Sequence, residues 1–135
     1  MSKLMSTNYT TGSFNLATLL LRLGCGGLII HHGYDKLVNF AVYKSKFMSF
    51  LGMGQATTLG LVVFAELICG ALLLIGLFAR LATIPLIITM CVALFMAHKG
   101  QIFGDGEMAA LYLSGFLALL IVGPGKISVD GMAGK

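Results

Sequence analysis

Four apolar stretches, at roughly 14–34, 56–78, 81–97 and 107–123, take up most of a chain of 135 residues. A helix needs about 20 mostly apolar residues to cross the hydrocarbon of a bilayer, with a range of about 17–25. Each stretch has that length. In lipid the backbone must satisfy its own hydrogen bonds, so only helices and closed barrels can span. The sequence shows no strand-like alternation to support a barrel. The expectation is therefore an all-α fold, an integral membrane four-helix bundle forming one domain over residues 1–135. Composition agrees: 58% of the residues are hydrophobic and only 10% are charged, against about 25% charged in a soluble domain. The net charge of +4 rests on a few Lys and Arg between apolar blocks. Membrane proteins carry such residues for orientation and headgroup contact, and nucleic acid is not an expected partner. Arg22 interrupts the first stretch and no small-x-small cleavage site follows it, so it reads as a retained span.

The connections follow from the punctuation. In "YDKLVNFAVYKSKFMSFLGMGQ", Phe40, Tyr43, Phe47, Phe50 and Leu51 recur at helical spacing among Lys44 and Lys46. This predicts an interfacial helix with aromatics at headgroup depth. Arg80 marks a tight turn between the second and third spans. "GPGK" stops the fourth, because Gly followed by Pro ends a helix. Four spans place both termini on one side, with Lys3, Arg80, Lys126 and Lys135. Lys36, Lys44, Lys46 and Lys99 fall on the other. The tally is nearly level, and the expectation is cytoplasmic termini.

Glu66 lies inside "LVVFAELICGALLLIGLF" (61–78). A charge at mid-bilayer costs about 2.5–3.5 kcal/mol on insertion scales. It must face the interior, pair with a base or stay protonated. Arg22 is the expected partner. Antiparallel first and second helices place it about two turns, and Glu66 about three turns, from the same face, an offset of about 6 Å. A structural salt bridge, a pair that also lines a ligand pocket, and two unrelated residues are the three roles open. The stripe around Arg22 holds Cys25, Gly26, Ile29, His32, Gly33 and Lys36. Glu66, Cys69 and Gly70 form a matching patch. Gly26, Gly33 and Gly70 permit close helix approach.

A second polar cluster is expected at the opposite face. His32 ends the first span, His98 ends the third and Glu107 opens the fourth. A metal site, a polar cap for a ligand headgroup and solvated helix ends are its alternatives. There is neither HExxH nor CxxC, and no metal site is expected. The three cysteines sit in three different spans without a paired spacing and read as small apolar residues.

Three segments together resemble the DoxX family of small four-span membrane proteins: "RLGCGGLIIHHGYDKL", "AELICGALLLIGLFAR" and "GEMAALYLSGFLALLIVGPGKISVD". The resemblance rests on Arg22 followed by His32-Gly33-x-x-Lys36. Glu66-x-x-x-Gly70 and Gly76-Leu77-x-x-Arg80 follow, then Gly123-Pro124-Gly125-Lys126-x-Ser128-x-Asp130. It implies a four-helix membrane fold. It also implies a link to the membrane part of thiosulfate:quinone oxidoreductase, or to membrane-associated oxidative-stress complexes with partner enzymes. No haem, flavin or iron–sulfur motif is visible, so a redox cofactor would be a bound quinone or belong to a partner. The expected function is a bacterial inner-membrane subunit of a quinone-linked oxidoreductase, binding a quinone-like amphipathic ligand between its helices. Arg22, His32, Lys36, Glu66, His98 and Glu107 are the ligand or proton-relay candidates, and no catalytic residue is identifiable. Membrane lipid, a redox enzyme and a second copy of the chain are the partners this reading allows. A non-catalytic scaffold for a redox enzyme and a small transporter are the alternatives.

Overall fold

The computed structural model describes residues 4–47, 49–97 and 99–134. It is all-helical, with no strand among the described residues. Helix α1 is Thr11–Val38 and α2 is Phe40–Lys46. Helices α3, Gln55–Ile75, and α4, Ala79–Ala97, follow. Helix α5 is Glu107–Val122 and the short α6 is Val129–Met132. Three of these, α1, α3 and α4, are long and apolar enough to cross a membrane. Helix α5 has 16 apolar-rich residues and spans about 24 Å, short of the roughly 30 Å hydrocarbon thickness.

Local chemistry sets the boundaries. Thr10 caps α1 by accepting from the Ser13 amide while the Ser13 hydroxyl accepts from the Thr10 amide, a reciprocal box with Ser in the place usually held by Glu. Helix α3 ends at Gly76, whose φ of +77° suits a residue without a Cβ. The Leu77 amide reaches back to the Leu72 carbonyl at 2.9 Å, the six-to-one bond of a Schellman ending. The interfacial helix expected from the aromatic spacing is shorter than the pattern suggests. Beyond Lys46 the chain turns extended at Phe47. The Ser49 hydroxyl accepts from the Gly54 amide and the Gln55 side chain donates to the Phe47 carbonyl. Leu51, Gly52 and Gly54 all have positive φ, which a continuing helix excludes.

Helices α1 and α3 pack antiparallel in a register that brings Gly26 to Leu74, Ile29 to Gly70 and Gly33 to Glu66. Glycine makes the approach possible. A Cβ on Gly33 would lie 2.8 Å from the Glu66 Cβ and 3.0 Å from the Leu67 backbone nitrogen. The core continues through Leu73, Leu86, Leu94, Phe116 and Leu119, each at most 2% exposed. Outside it, Leu16, Leu20, Leu28, Leu81, Leu111 and Ile121 are exposed. Large apolar side chains facing outward on every long helix have lipid as their solvent.

Gly33→Ala should therefore destabilise the protein in detergent by about 1–3 kcal/mol, the usual cost of overpacking. Gly27→Ala, where a Cβ meets nothing within 4 Å, should leave the melting temperature unchanged or slightly raised. Thermal unfolding of both variants checks the pair. Equal melting temperatures would mean that the α1–α3 contact is looser than described.

Candidate functional site

Glu66 sits where α3 widens. Phe64–Cys69 forms a π-helical turn, and the Gly70 amide donates to the Ala65 carbonyl five residues back. The extra residue in this turn lets both Ala65 and Glu66 point inward, at 3% and 2% exposure. Such turns recur at functional sites because they re-aim side chains and weaken local hydrogen bonding. The Glu66 partner is Lys36, whose Nζ lies 2.6 Å from Oε1. The pairing with Arg22 expected from the sequence is not what forms. Arg22 faces the last turn of α3, near Leu74 and Gly76, roughly 15 Å along the helix from the Glu66 level. The lysine side chain keeps 19% of its surface exposed against 3% for the glutamate. One end of the pair is therefore buried and the other reaches the rim.

Around this pair α1 presents a polar edge. Leu28, His32 and Lys36 follow at four-residue steps along one face. The His32 ring is exposed and meets Tyr112 of α5 edge-on, with centroids 5.9 Å apart at 88°. Tyr112 stacks on Phe116 at 5.8 Å. Asp35 accepts from the Tyr43 hydroxyl and the Asn39 amide. The bond to Asp35 pushes the Tyr43 hydroxyl above its ordinary pKa and keeps it neutral. Tyr112 borders an apolar slot of about 180 Å³ between α1 and α5, with Leu20, Gly24, Cys25, Leu28 and Met108 among its walls. Tyr112 was not singled out in the sequence, and Tyr43 was read only as an interfacial aromatic. The signal for Tyr112 was available: it is a tyrosine inside the fourth apolar stretch, one helical turn before Phe116.

Arg22 belongs to a different centre. Its guanidinium, 1% exposed, donates to the Leu74 carbonyl at 3.1 Å and to the Ile127 carbonyl. It also interacts electrostatically with Asp130. The Asp130 carboxylate accepts from the Phe78 and Ala79 amides, each at 2.9 Å. Arg22 thus satisfies a terminal carbonyl of α3, and Asp130 two terminal amides of α4. The closing motif positions them. Ser128 caps α6 by accepting from the Gly131 amide. The Lys126 amide donates to the Asn15 side chain, and Gly125 lies over Thr18, leaving no room for a Cβ. Arg80 lies across Gly123 and donates to the Ile121 carbonyl.

Of the remaining candidates, Glu107 is exposed at the start of α5, and His98 lies outside the described residues. Gly70 packs against Ile29 and Ile30. Among the described residues no three His, Cys, Asp or Glu side chains cluster as metal ligands.

Mutant cycles separate the two centres. Lys36→Met strands a carboxylate that is almost fully buried, and should cost about 3 kcal/mol. Glu66→Leu should cost less, because Lys36 can turn to the rim. The double change should recover much of the loss. Glu66 and Arg22 share no contact, so their combined effect should be additive within about 0.5 kcal/mol. Coupling between Arg22 and Glu66 larger than that between Lys36 and Glu66 would overturn this assignment. Unfolding in detergent gives the numbers.

Comparison with known proteins follows the same residues. The DoxX family profile matches residues 17–99, a range that holds Arg22, His32, Lys36, Glu66 and Arg80 and stops before α5 and the closing motif. An uncharacterized protein of Haemophilus influenzae is 30% identical over 117 residues, covering 82% of this chain and 85% of its own length. No solved structure matches the chain. With the family profile covering more than half of its length and three helices able to cross a membrane, the chain belongs to the DoxX family and is a membrane protein.

Proposed function

We propose that the chain is a membrane subunit of a quinone-linked redox system, holding a quinone-like amphipathic ring between α1 and α5. The observation that carries this reading is the Lys36–Glu66 pair at the π turn; His32, one turn before Lys36 on α1, meets Tyr112, which borders the apolar slot. The residues fit such a ligand. Slots of this kind bind by apolar walls and fix orientation through a few polar groups, here His32 and Tyr112 at one end. A quinone supplies reversible two-electron, two-proton chemistry when bound. This chain's share is to seat the ring and hold protons at Glu66, Lys36 and His32. Electrons would come from a partner enzyme, because the sequence carries no motif for a redox centre of its own.

In the same reading α5 is a fourth span, the chain folds as one domain, and both termini lie on the cytoplasmic side of a bacterial inner membrane. The rival is a scaffold without a ligand. It is favoured by the position of the pair at the tightest α1–α3 contact, where a helix clamp would also sit.

Decylubiquinone binding in detergent separates the two. The chain has four tyrosines and no tryptophan, so quenching of tyrosine emission reports a ring seated beside Tyr112. Gly24→Leu adds a side chain into the slot where a Cβ meets nothing within 4 Å. It should weaken binding about tenfold or more, a loss of at least about 1.4 kcal/mol, with the melting temperature preserved. The Lys36→Met/Glu66→Leu double variant should also bind more weakly. If it binds as tightly as the parent protein, the pair is a clamp only. No quenching in the parent protein sinks the quinone reading. Topology has its own check. Ser2→Cys and Ala133→Cys, in a background without the native cysteines, should both be labelled from the cytoplasmic side. Labelling from opposite sides would remove α5 as a span.

A further inference from the structure

We infer that the end of the bundle holding Arg80 and Lys126 is a binding site for the headgroup of an anionic phospholipid. A cleft of about 490 Å³ opens there, between the start of α1, the α3–α4 turn and the Gly123–Gly125 turn. Arg80 and Lys126 line it, and both are exposed. No carboxylate pairs with either among the described residues. The one acid in the wall, Asp130, is committed elsewhere: its oxygens take the Phe78 and Ala79 amides and its charge faces Arg22. The cleft therefore presents two uncompensated positive charges.

Among the described residues neither cation is held by an acid. Arg80 lies over Gly123, where a Cβ would come within 3.0 Å of its Nε, and bonds the Ile121 carbonyl at 3.3 Å. Lys126 is anchored through its amide by Asn15 at 3.0 Å, which leaves its side chain outside the fold's own bonding. A placed fork-shaped donor and a flexible point charge lining one cleft suit a phosphate oxyanion.

The location selects a lipid over a soluble anion. The cleft sits where α1 and α4 begin and α5 ends, at the rim of the apolar spans. One wall continues into Leu81, 66% exposed, and Val122, 39% exposed. These side chains run from the cations down the outer faces of α4 and α5. A phosphate at Arg80 and Lys126 thus places acyl chains on an apolar surface that already faces lipid. Basic residues at this depth favour anionic headgroups.

The test is lipid titration of the whole chain in detergent, read by thermal unfolding and by native mass spectrometry. Dioleoyl phosphatidylglycerol should raise the melting temperature and leave a retained one-lipid adduct. Dioleoyl phosphatidylcholine at the same concentration should do neither. Lys126→Gln should weaken the phosphatidylglycerol effect, and Arg80→Gln/Lys126→Gln should weaken it by roughly tenfold or more. The Lys44→Gln/Lys46→Gln variant at the other end should respond like the parent protein. If the double variant at Arg80 and Lys126 fails to fold, Lys126→Gln alone decides, since that side chain supports no bond in the fold. Equal stabilisation by the two lipids overturns the proposal, and so does an unchanged response in Lys126→Gln. Equal stabilisation by inorganic phosphate would show a free-anion site in place of a lipid site.

Discussion

The turn between α3 and α4 is closed by two charges from outside it, and the arrangement of the helices depends on that closure. A helix leaves terminal carbonyls at its end and terminal amides at its start without intrahelical partners. Where such a group is shut away from water, leaving it unsatisfied costs several kcal/mol. Arg22 takes the Leu74 carbonyl, and Asp130 takes the Phe78 and Ala79 amides. Each charge also sits at the helix end whose dipole favours it, the cation at a C-terminus and the anion at an N-terminus. Gly76 is required for a further reason besides its positive φ. A Cβ there would fall 2.3 Å from the Ser128 Cβ and 2.6 Å from an Arg22 nitrogen. The segment after α5 is therefore an internal plug, fastened to α1 through Asn15 and Thr18 and to α3 through the bond from the Asp130 amide to the Gly76 carbonyl.

The plug explains which parts of the site were legible in the sequence. The four apolar stretches gave the helices, and Gly33 and Gly70 marked a real contact. Glu66 does face the interior, as the cost of a lipid-facing charge requires. Its partner was misassigned because counting turns from the ends of two helices assumes that those ends are level. They are not: α1 begins at Thr11, and Arg22, three turns in, faces the end of α3. The residues of the closing motif fill the space below. A shift of this size comes from a contact between segments about a hundred residues apart, which hydropathy cannot show. The π turn at Glu66 also has no periodic signature, because a single added residue only rotates the apolar face. At Phe47 the aromatic spacing stayed helical while Leu51, Gly52 and Gly54 dictated a loop.

The two charged centres differ in how completely they are held. Arg22 is enclosed and anchored by carbonyls from two distant segments. Changing its charge state would unmake the turn, so it serves the fold. Lys36 and Glu66 join through a single contact, with the lysine partly at the rim and the glutamate in a stretch of loosened helix. No helix end depends on this contact, in contrast to the one at Arg22.

Residue type follows the same division. Arginine presents a planar fork that reaches two carbonyls at once and stays charged, which suits a permanent clamp. Lysine is a compact charge on a flexible stem, able to swing between a buried carboxylate and the rim. A lysine at 22 would have to hold the Leu74 and Ile127 carbonyls from a single nitrogen in place of a two-pronged fork. The arginine deep in the termini end and the lysine at the far rim are thus two solutions to one problem, a charge inside a membrane. The first is fixed by carbonyls from two distant segments, and the second keeps part of its side chain at the rim.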